Sequence, residues 1–342
     1  MKQKLDLLFR LSSYFGRNFI YTQGGGGNVS FKNQEFMWIK PSGTRLKEIK
    51  SEKLLTKLDL NLLHTTWNTL KRKRVCGFNI NSILKETSLN LNNSVIPTGQ
   101  YDTPSVETFM HLLLGNFVVH SHFLPGIFLT SASISDKLLA SLKQSDPTFK
   151  FKKLSYHTPG IPLATAMESI IDESDQKKGI FLLKNHGIVM SSESDTVIYD
   201  NIKQLEKLFT DVTGLSSSPS FSFNITYLPE KQLYEFKTDL PYINPDDISS
   251  PLTIDYILSF KNNFSKASNY DEISISQQHG LIFYDNKIYF KATNDTYKDY
   301  AEILAGQIQS GLWANQLACT LNFLTEQEFQ KFTTYAIGKY AR

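Results

Sequence analysis

The most regular stretch of the chain is Asp195 to Val212, where Ile198, Ile202, Leu205, Phe209 and Val212 recur at i, i+4, i+7, i+11 and i+14. That spacing gathers all five on one stripe of an α-helix, and Gly214 stands where a helix C-terminus favours glycine. A helix with one apolar stripe needs a surface to lie on, and the residues before it alternate between helical and extended patterns. An amphipathic N-terminal helix carries Leu5, Leu8 and Leu11 or Ser12, and Asn28 to Phe31 and Glu35 to Lys40 read as strands. Leu54, Leu55, Leu58 and Leu62 fall at helical spacing within Ser51 to Leu70. Thr103-Pro104 predicts the start of a helix carrying Val106 to Leu114, with Thr103 as N-cap and Pro104 at the first helical position. Phe117 to Phe123 and Ile180 to Leu183 read as apolar strands.

After Gly214 the composition breaks. Residues 215–222 are Ser-rich with one proline, as in a linker. Beyond them Glu272 to Ser276 alternates, and 281–290 reads as a hairpin turning at Asp285-Asn286. A helix spans Asp295 to Leu312, and a last helix opens on the capping box Thr325-x-x-Glu328 and buries Phe329, Phe332 and Ala336. The organisation expected is residues 1–215 as one domain, 216–232 as a Ser-rich connection and 233–342 as a small α+β appendage of unassigned role. A chain of 342 residues has room for both.

Charge and cysteine content narrow the function classes. Thirty-six Lys and Arg against 33 Asp and Glu leave a net charge of +3, too little for a nucleic-acid footprint. The basic run Lys71 to Arg74 falls at the end of a predicted helix, where cations complement the helix dipole. Two cysteines far apart, Cys76 and Cys319, fit a reducing compartment. No apolar run reaches the roughly 18 residues of a membrane helix, and Asp6 and Arg10 interrupt what would be a signal-peptide core. The expectation is a cytoplasmic protein with no nucleic-acid or membrane partner.

The chemistry-bearing residues cluster in short motifs. His120 and His122 in Val118-Val119-His120-Ser121-His122 share one face if the segment is a strand, which lets one strand offer a metal two imidazoles. The alternative is a polar pair on a solvated face, but Phe117, Val119 and Phe123 argue for burial. His186 ends a second apolar strand in Lys184-Asn185-His186-Gly187, as a third ligand or a loop-bonding residue. Glu107 precedes the first histidine strand, as a site carboxylate or as a first-turn acid favoured by the helix dipole. Three histidines and a glutamate are a set that makes a catalytic zinc site. Two small-residue turns, Gly25 to Ser30 and Pro41 to Thr44, flank one strand and suit convergent backbone N–H groups around an anion, or flexible turns. Neither has the spacing of a P-loop or dinucleotide fingerprint.

Six segments, GGGGNVSF, IKPSGTRL, PSVETFMH, VVHSHF, SYHTPGIPLA and LLKNHGIVM, occur in the order and spacing of the class II aldolase/adducin family, which the chain resembles over roughly residues 5–215. The resemblance implies an α/β/α layered domain with a central, mostly antiparallel sheet. His120, His122 and His186 match its zinc ligands, with another divalent metal as the alternative. Glu107 matches its acid/base carboxylate, and Gly25, Asn28, Ser42, Gly43 and Ser105 match positions that hold a substrate phosphate. Two departures weaken that phosphate site: Val106 replaces a second serine, and Gly25 stands where some members have threonine. A carboxylate, or no anionic group, thus remains open for the substrate. The implied activity is a zinc-dependent lyase of carbohydrate metabolism that makes or breaks a C–C bond in a phosphorylated ketose or related hydroxy-carbonyl compound through a metal-stabilised enediolate. A 4-epimerase, dehydratase or decarboxylase on the same metal, and a non-catalytic adducin-like binding module, are the alternatives; Glu rather than Asp at 107 favours the aldolase branch. A homo-oligomer, specifically a tetramer, is expected, with an aromatic residue of a neighbouring subunit completing the site. His64, His111, His157 and His279 are read as structural.

Overall fold

The computed structural model describes residues 1–75, 87, 89–97, 103–260, 263–273 and 280–332. Cys76, His279, Ala336 and most of the alternating stretch after Glu272 lie outside them. Among the described residues eight strands form one sheet: β1 (Asn28–Lys32), β2 (Phe36–Ile39), β3 (Thr56–Asp59), β4 (Val95–Ile96), β5 (Phe117–Ser121), β6 (Lys152–Leu154), β7 (Gly179–Leu183) and β8 (Gly187–Ser192). Their spatial order is β4-β3-β2-β1-β5-β8-β7-β6, antiparallel throughout except between β6 and β7.

Helices covering this sheet among the described residues include α1 (Lys2–Phe15), α2 (Leu60–Val75), α3 (Thr108–Leu112), α4 (Leu124–Ser131), α5 (Ser135–Ser145), α6 (Ile161–Glu168), α7 (Glu173–Lys178) and α8 (Asp195–Thr213). Leu8, Ile127, Leu138 and Ile202 of α1, α4, α5 and α8 pack on Val29, Val119, Leu182 and Met190 of one sheet face. Trp67, Phe109 and Met167 of α2, α3 and α6 pack on Met37, Val118, Phe181 and Val189 of the other. With both faces covered, β1, β5, β7 and β8 are buried along their whole length, with no alternation of buried and exposed positions. The expected α/β/α layering with a mostly antiparallel centre is the observed one. In α8 the stripe Ile198, Ile202, Leu205 and Phe209 is buried, Ser194 caps the start, and Gly214 closes the end at φ 71°.

Local chemistry overrides two of the helical expectations. The leucines after Ser51 are divided between a short 3₁₀ turn, β3 and α2, because Leu58 pairs across from Met37 in the sheet while Thr56 and Leu58 point inward. The helix expected from Thr103 begins only at Thr108. Ser105 holds the chain back: its hydroxyl accepts from Asn28 Nδ2 at 2.6 Å and from the Glu107 N–H at 3.2 Å. Glu107 is thereby placed at the N-cap of α3. Lys32 Nζ caps the far end of α3 by donating to the carbonyls of His111 and Leu112, so the helix is fastened to β1 at both ends.

The second sheet contains β9 (Phe223–Leu228), β10 (Leu233–Thr238), β11 (Phe264–Lys266), β12 (Leu281–Tyr284) and β13 (Lys287–Phe290), ordered β11-β12-β13-β10-β9. β9 occupies part of the 216–232 stretch read as connection. All six of its residues pair with β10, and its half-buried Phe223 and Ile225 pack on the core. Asp285 and Asn286 turn the β12–β13 hairpin with positive φ at both positions, as a type I′ turn requires. Helices α9 (Ile254–Phe260) and α10 (Tyr297–Gln316) lie between this sheet and the first region. Trp313 of α10 packs at a tilt on Phe209 of α8 and edge-to-face on Phe128 of α4, with ring centroids 5.0 and 5.7 Å away. One apolar cluster thus runs unbroken from Leu5 to Leu321. No helix among the described residues is long and apolar enough to cross a membrane.

Candidate metal centre

β5 places His120 opposite Asn28 on one side and Val189 on the other, at the centre of the sheet. His122 follows one residue beyond the strand. His186 sits in the tight connection between β7 and β8, where Asn185 takes φ 57° and Gly187 φ 137°. Only glycine fits at 187, because an added Cβ would lie 2.2 Å from the Ser121 carbonyl oxygen. Three buried imidazoles converge as a result. His120 Nε2 is 3.1 Å from His122 Nε2 and 3.2 Å from His186 Nε2. Glu107 Oε1 approaches to 3.3 Å from His120 Nε2 and 3.4 Å from His186 Nε2.

The backbone fixes the tautomer of one of the three rings. His120 Nδ1 lies 3.0 Å from the Ile188 carbonyl, which can only accept, so the proton is on Nδ1 and Nε2 carries a lone pair. That lone pair faces two other ring nitrogens and a carboxylate oxygen, and Glu107 Oε1 is buried without a hydrogen-bond partner. Three buried imidazoles with a carboxylate oxygen 3.3 and 3.4 Å from two of them are a donor set that could hold a divalent metal. Burial, reinforced by the neighbouring imidazoles, holds His120 well below the usual imidazole range and His186 at about 3, so both are neutral and able to ligate. Burial pushes Glu107 up to about 7, against the opposing pull of His122 and Lys40.

A cavity of about 370 Å³ opens in front of the cluster. Glu107, His122 and His186 line it, and His120 beside them is fully buried. Gly25, Asn28, Ser42, Gly43 and Ser105 line the same cavity, so the residues singled out from the sequence as metal, acid/base and anion positions all meet at one site. Ser105 already accepts from Asn28, which leaves its own hydroxyl proton for a ligand. Val106, the departure from the family pattern, also faces the cavity.

Several residues of the site escape the motif reading. Lys40, fully buried at the end of β2, donates to the carbonyls of Gly25, Pro41 and Thr44 and so ties the two small-residue turns together. Burial brings its ammonium down to about 8 despite the nearby Glu107 and Asp255. A lysine closing an apolar strand just before Pro-Ser-Gly was the available signal. Asp255 of α9 sets Oδ2 directly against His122 Nδ1; burial raises its carboxyl, but His122 outweighs this and the net direction is downward. Its sequence context, an acid in the first turn of a short helix, gives no hint of this contact. Asp299 and Tyr300 of α10 complete the wall opposite the sheet. Of the other histidines, His111 is buried against Ser30 Oγ at 2.7 Å, His64 is exposed, and His157 is half-buried beside Ser155.

An α/β/α domain with a three-histidine cluster at its central strands defines the class of protein. The chain belongs to the class II aldolase/adducin family: the family description Class II Aldolase and Adducin N-terminal domain matches residues 8–211. An L-fuculose phosphate aldolase of Methanococcus maripaludis strain C5 is 26% identical over 192 residues, covering 55% of this chain and 84% of that protein. One from strain S2 is 27% identical over 198 residues with the same coverage. Among solved structures, the N-terminal class II aldolase domain of a conserved protein from Thermoplasma acidophilum gives a TM-score of 0.47 at 21% identity, covering 60% of this chain and 92% of that one. An L-fuculose 1-phosphate aldolase gives 0.37 at 18%, covering 60% and 84%.

Proposed function

We propose that the chain is a zinc-dependent lyase that cleaves or forms a C–C bond in a phosphorylated ketose or a closely related hydroxy-carbonyl compound. The observation that carries this reading is the convergence of His120, His122 and His186 Nε2 beside an unpartnered Glu107 carboxylate oxygen, at a cavity also lined by small donor residues. Zn²⁺ held by the three imidazoles supplies a Lewis acid for a carbonyl oxygen and positive charge where negative charge develops. The cavity donors hold the substrate's anionic end, through backbone N–H groups of the glycine turn and the hydroxyls of Ser42 and Ser105. In the cleavage direction the hydroxyl on the β-carbon loses its proton, the C–C bond breaks to release an aldehyde, and the carbon left beside the carbonyl takes up a proton. Glu107 is the group positioned to move that proton, because one of its oxygens is free and adjoins the metal ligands. The names of the relatives, L-fuculose phosphate aldolases, support the substrate class, and the family relationship supports a homotetramer.

The test is a panel of ketose 1-phosphates assayed for released aldehyde and ketone phosphate, with and without chelator. Cleavage of at least one that stops on chelation and returns with Zn²⁺ is the expected result. Isomerised but uncleaved sugar phosphate would replace the lyase reading with an epimerase. A fully metallated protein that turns over none of the panel would favour a binding module.

A further inference from the structure

The C-terminal region reaches the metal cluster at two points. Asp255, half-buried on α9, lies against Nδ1 of His122, on the opposite side of the ring from the nitrogen that faces His120. Asn185, buried between Lys184 and His186, donates from its side-chain amide to the carbonyls of Leu252 and Asn322, both at 2.8 Å. Leu252 lies just upstream of α9, so the same segment is locked to the His186 loop and carries Asp255 to His122. Gly26 also abuts the Nδ1 edge of the His122 ring, where an added Cβ would come within 2.4 Å of Nδ1. No side chain at that position can supply a partner for Nδ1; the partner comes from the C-terminal region.

We propose that Asp255 is a positioning residue for His122, so that the C-terminal region sets how tightly the cluster holds its metal. The inference rests on the reading of the three histidines as metal ligands and gives a role to a region outside the family match. Imidazole has two neutral tautomers, and only the one protonated at Nδ1 leaves Nε2 free to ligate. A carboxylate accepting from Nδ1 selects that tautomer, fixes the ring plane and raises the donor strength of Nε2. His120 obtains the same selection from the Ile188 carbonyl within the sheet. His122, one residue past its strand, has no equivalent backbone acceptor and takes Asp255 instead. The docked position is well defined: Glu302 of α10 accepts from the Gly24 N–H at 2.8 Å, and Asp299 pairs with Arg45 at 2.6 Å.

The test uses the full chain, with Zn²⁺ affinity read by competition against a chromophoric chelator and ligand geometry by the absorption spectrum after Co²⁺ substitution. Asp255→Ala is expected to weaken Zn²⁺ binding about 10- to 100-fold and alter the Co²⁺ spectrum. Asp255→Asn, isosteric and still able to accept, is expected to recover part of that loss. Asn185→Gly, which keeps the positive φ but drops both amide bonds, is expected to weaken binding less than Asp255→Ala. The melting temperature of the metal-free proteins reports whether the variants fold; if Asp255→Ala does not, Asp255→Asn decides by the same readouts. Wild-type affinity and spectrum in folded Asp255 variants would overturn the proposal while leaving the metal centre intact. A wild-type chain that takes up no Zn²⁺ would overturn the metal reading itself.

Discussion

Gly26 and Glu107 illustrate two ways in which one residue governs the cluster. At Gly26 the constraint is space: an alanine methyl would fall 2.4 Å from Nδ1 and 2.7 Å from Cε1 of His122. The ring must move away, and the overpacking costs about 1–3 kcal/mol. Gly26→Ala is therefore expected to lower both unfolding free energy in urea and Zn²⁺ affinity, the latter by about tenfold or more. At Glu107 the constraint is chemical. Glu107→Gln keeps shape and neighbours but cannot carry the proton, so turnover of an identified substrate should fall about 10²- to 10⁴-fold while metal content by elemental analysis stays unchanged. Unaltered turnover in Glu107→Gln would remove the carboxylate from the mechanism.

At the scale of elements, legibility tracked how local the determining forces were. Helix α8 was readable because stripe, N-cap and C-terminal glycine all lie within its own sequence. Ser194→Ala, which removes the acceptor for the Thr196 N–H, is expected to cost about 1 kcal/mol by chemical denaturation without changing metal content. The start of α3 was not readable, because Thr103-Pro104 satisfies every local helix signal while Asn28, far off in sequence, takes hold of Ser105. β3 was hidden for a similar reason: leucine spacing compatible with a helix is overruled by pairing with β2. The Ser-rich stretch concealed β9, whose pattern becomes a strand only beside β10.

For the molecule as a whole, motifs in the first 215 residues are enough to assemble the histidines, Glu107 and the two small-residue turns at one cavity. Each of those residues sits in a short segment whose local pattern marks it. Asp255 and Asn185 act through contacts between segments distant in sequence, which no spacing records. What reads in sequence as an appendage shares its apolar core with the first region and walls the cavity. Metal occupancy should accordingly be felt by the whole fold. Ligand binding restricted to the folded state adds about 2.7 kcal/mol at a free metal concentration 100 times Kd. Calorimetry is expected to show one transition that rises in temperature as Zn²⁺ is added to chelator-stripped protein. A transition indifferent to Zn²⁺ would mean that the histidines do not join the metal in the folded state.

His120, His122 and His186 are placed to hold one divalent ion together. Elemental analysis of the purified chain beside its His120→Ala variant is the decisive measurement. About one Zn²⁺ or equivalent divalent ion is expected per wild-type chain, and almost none in a variant that remains folded. A folded, metal-free wild type that cannot be loaded, or a His120→Ala variant that keeps the full complement, would contradict it.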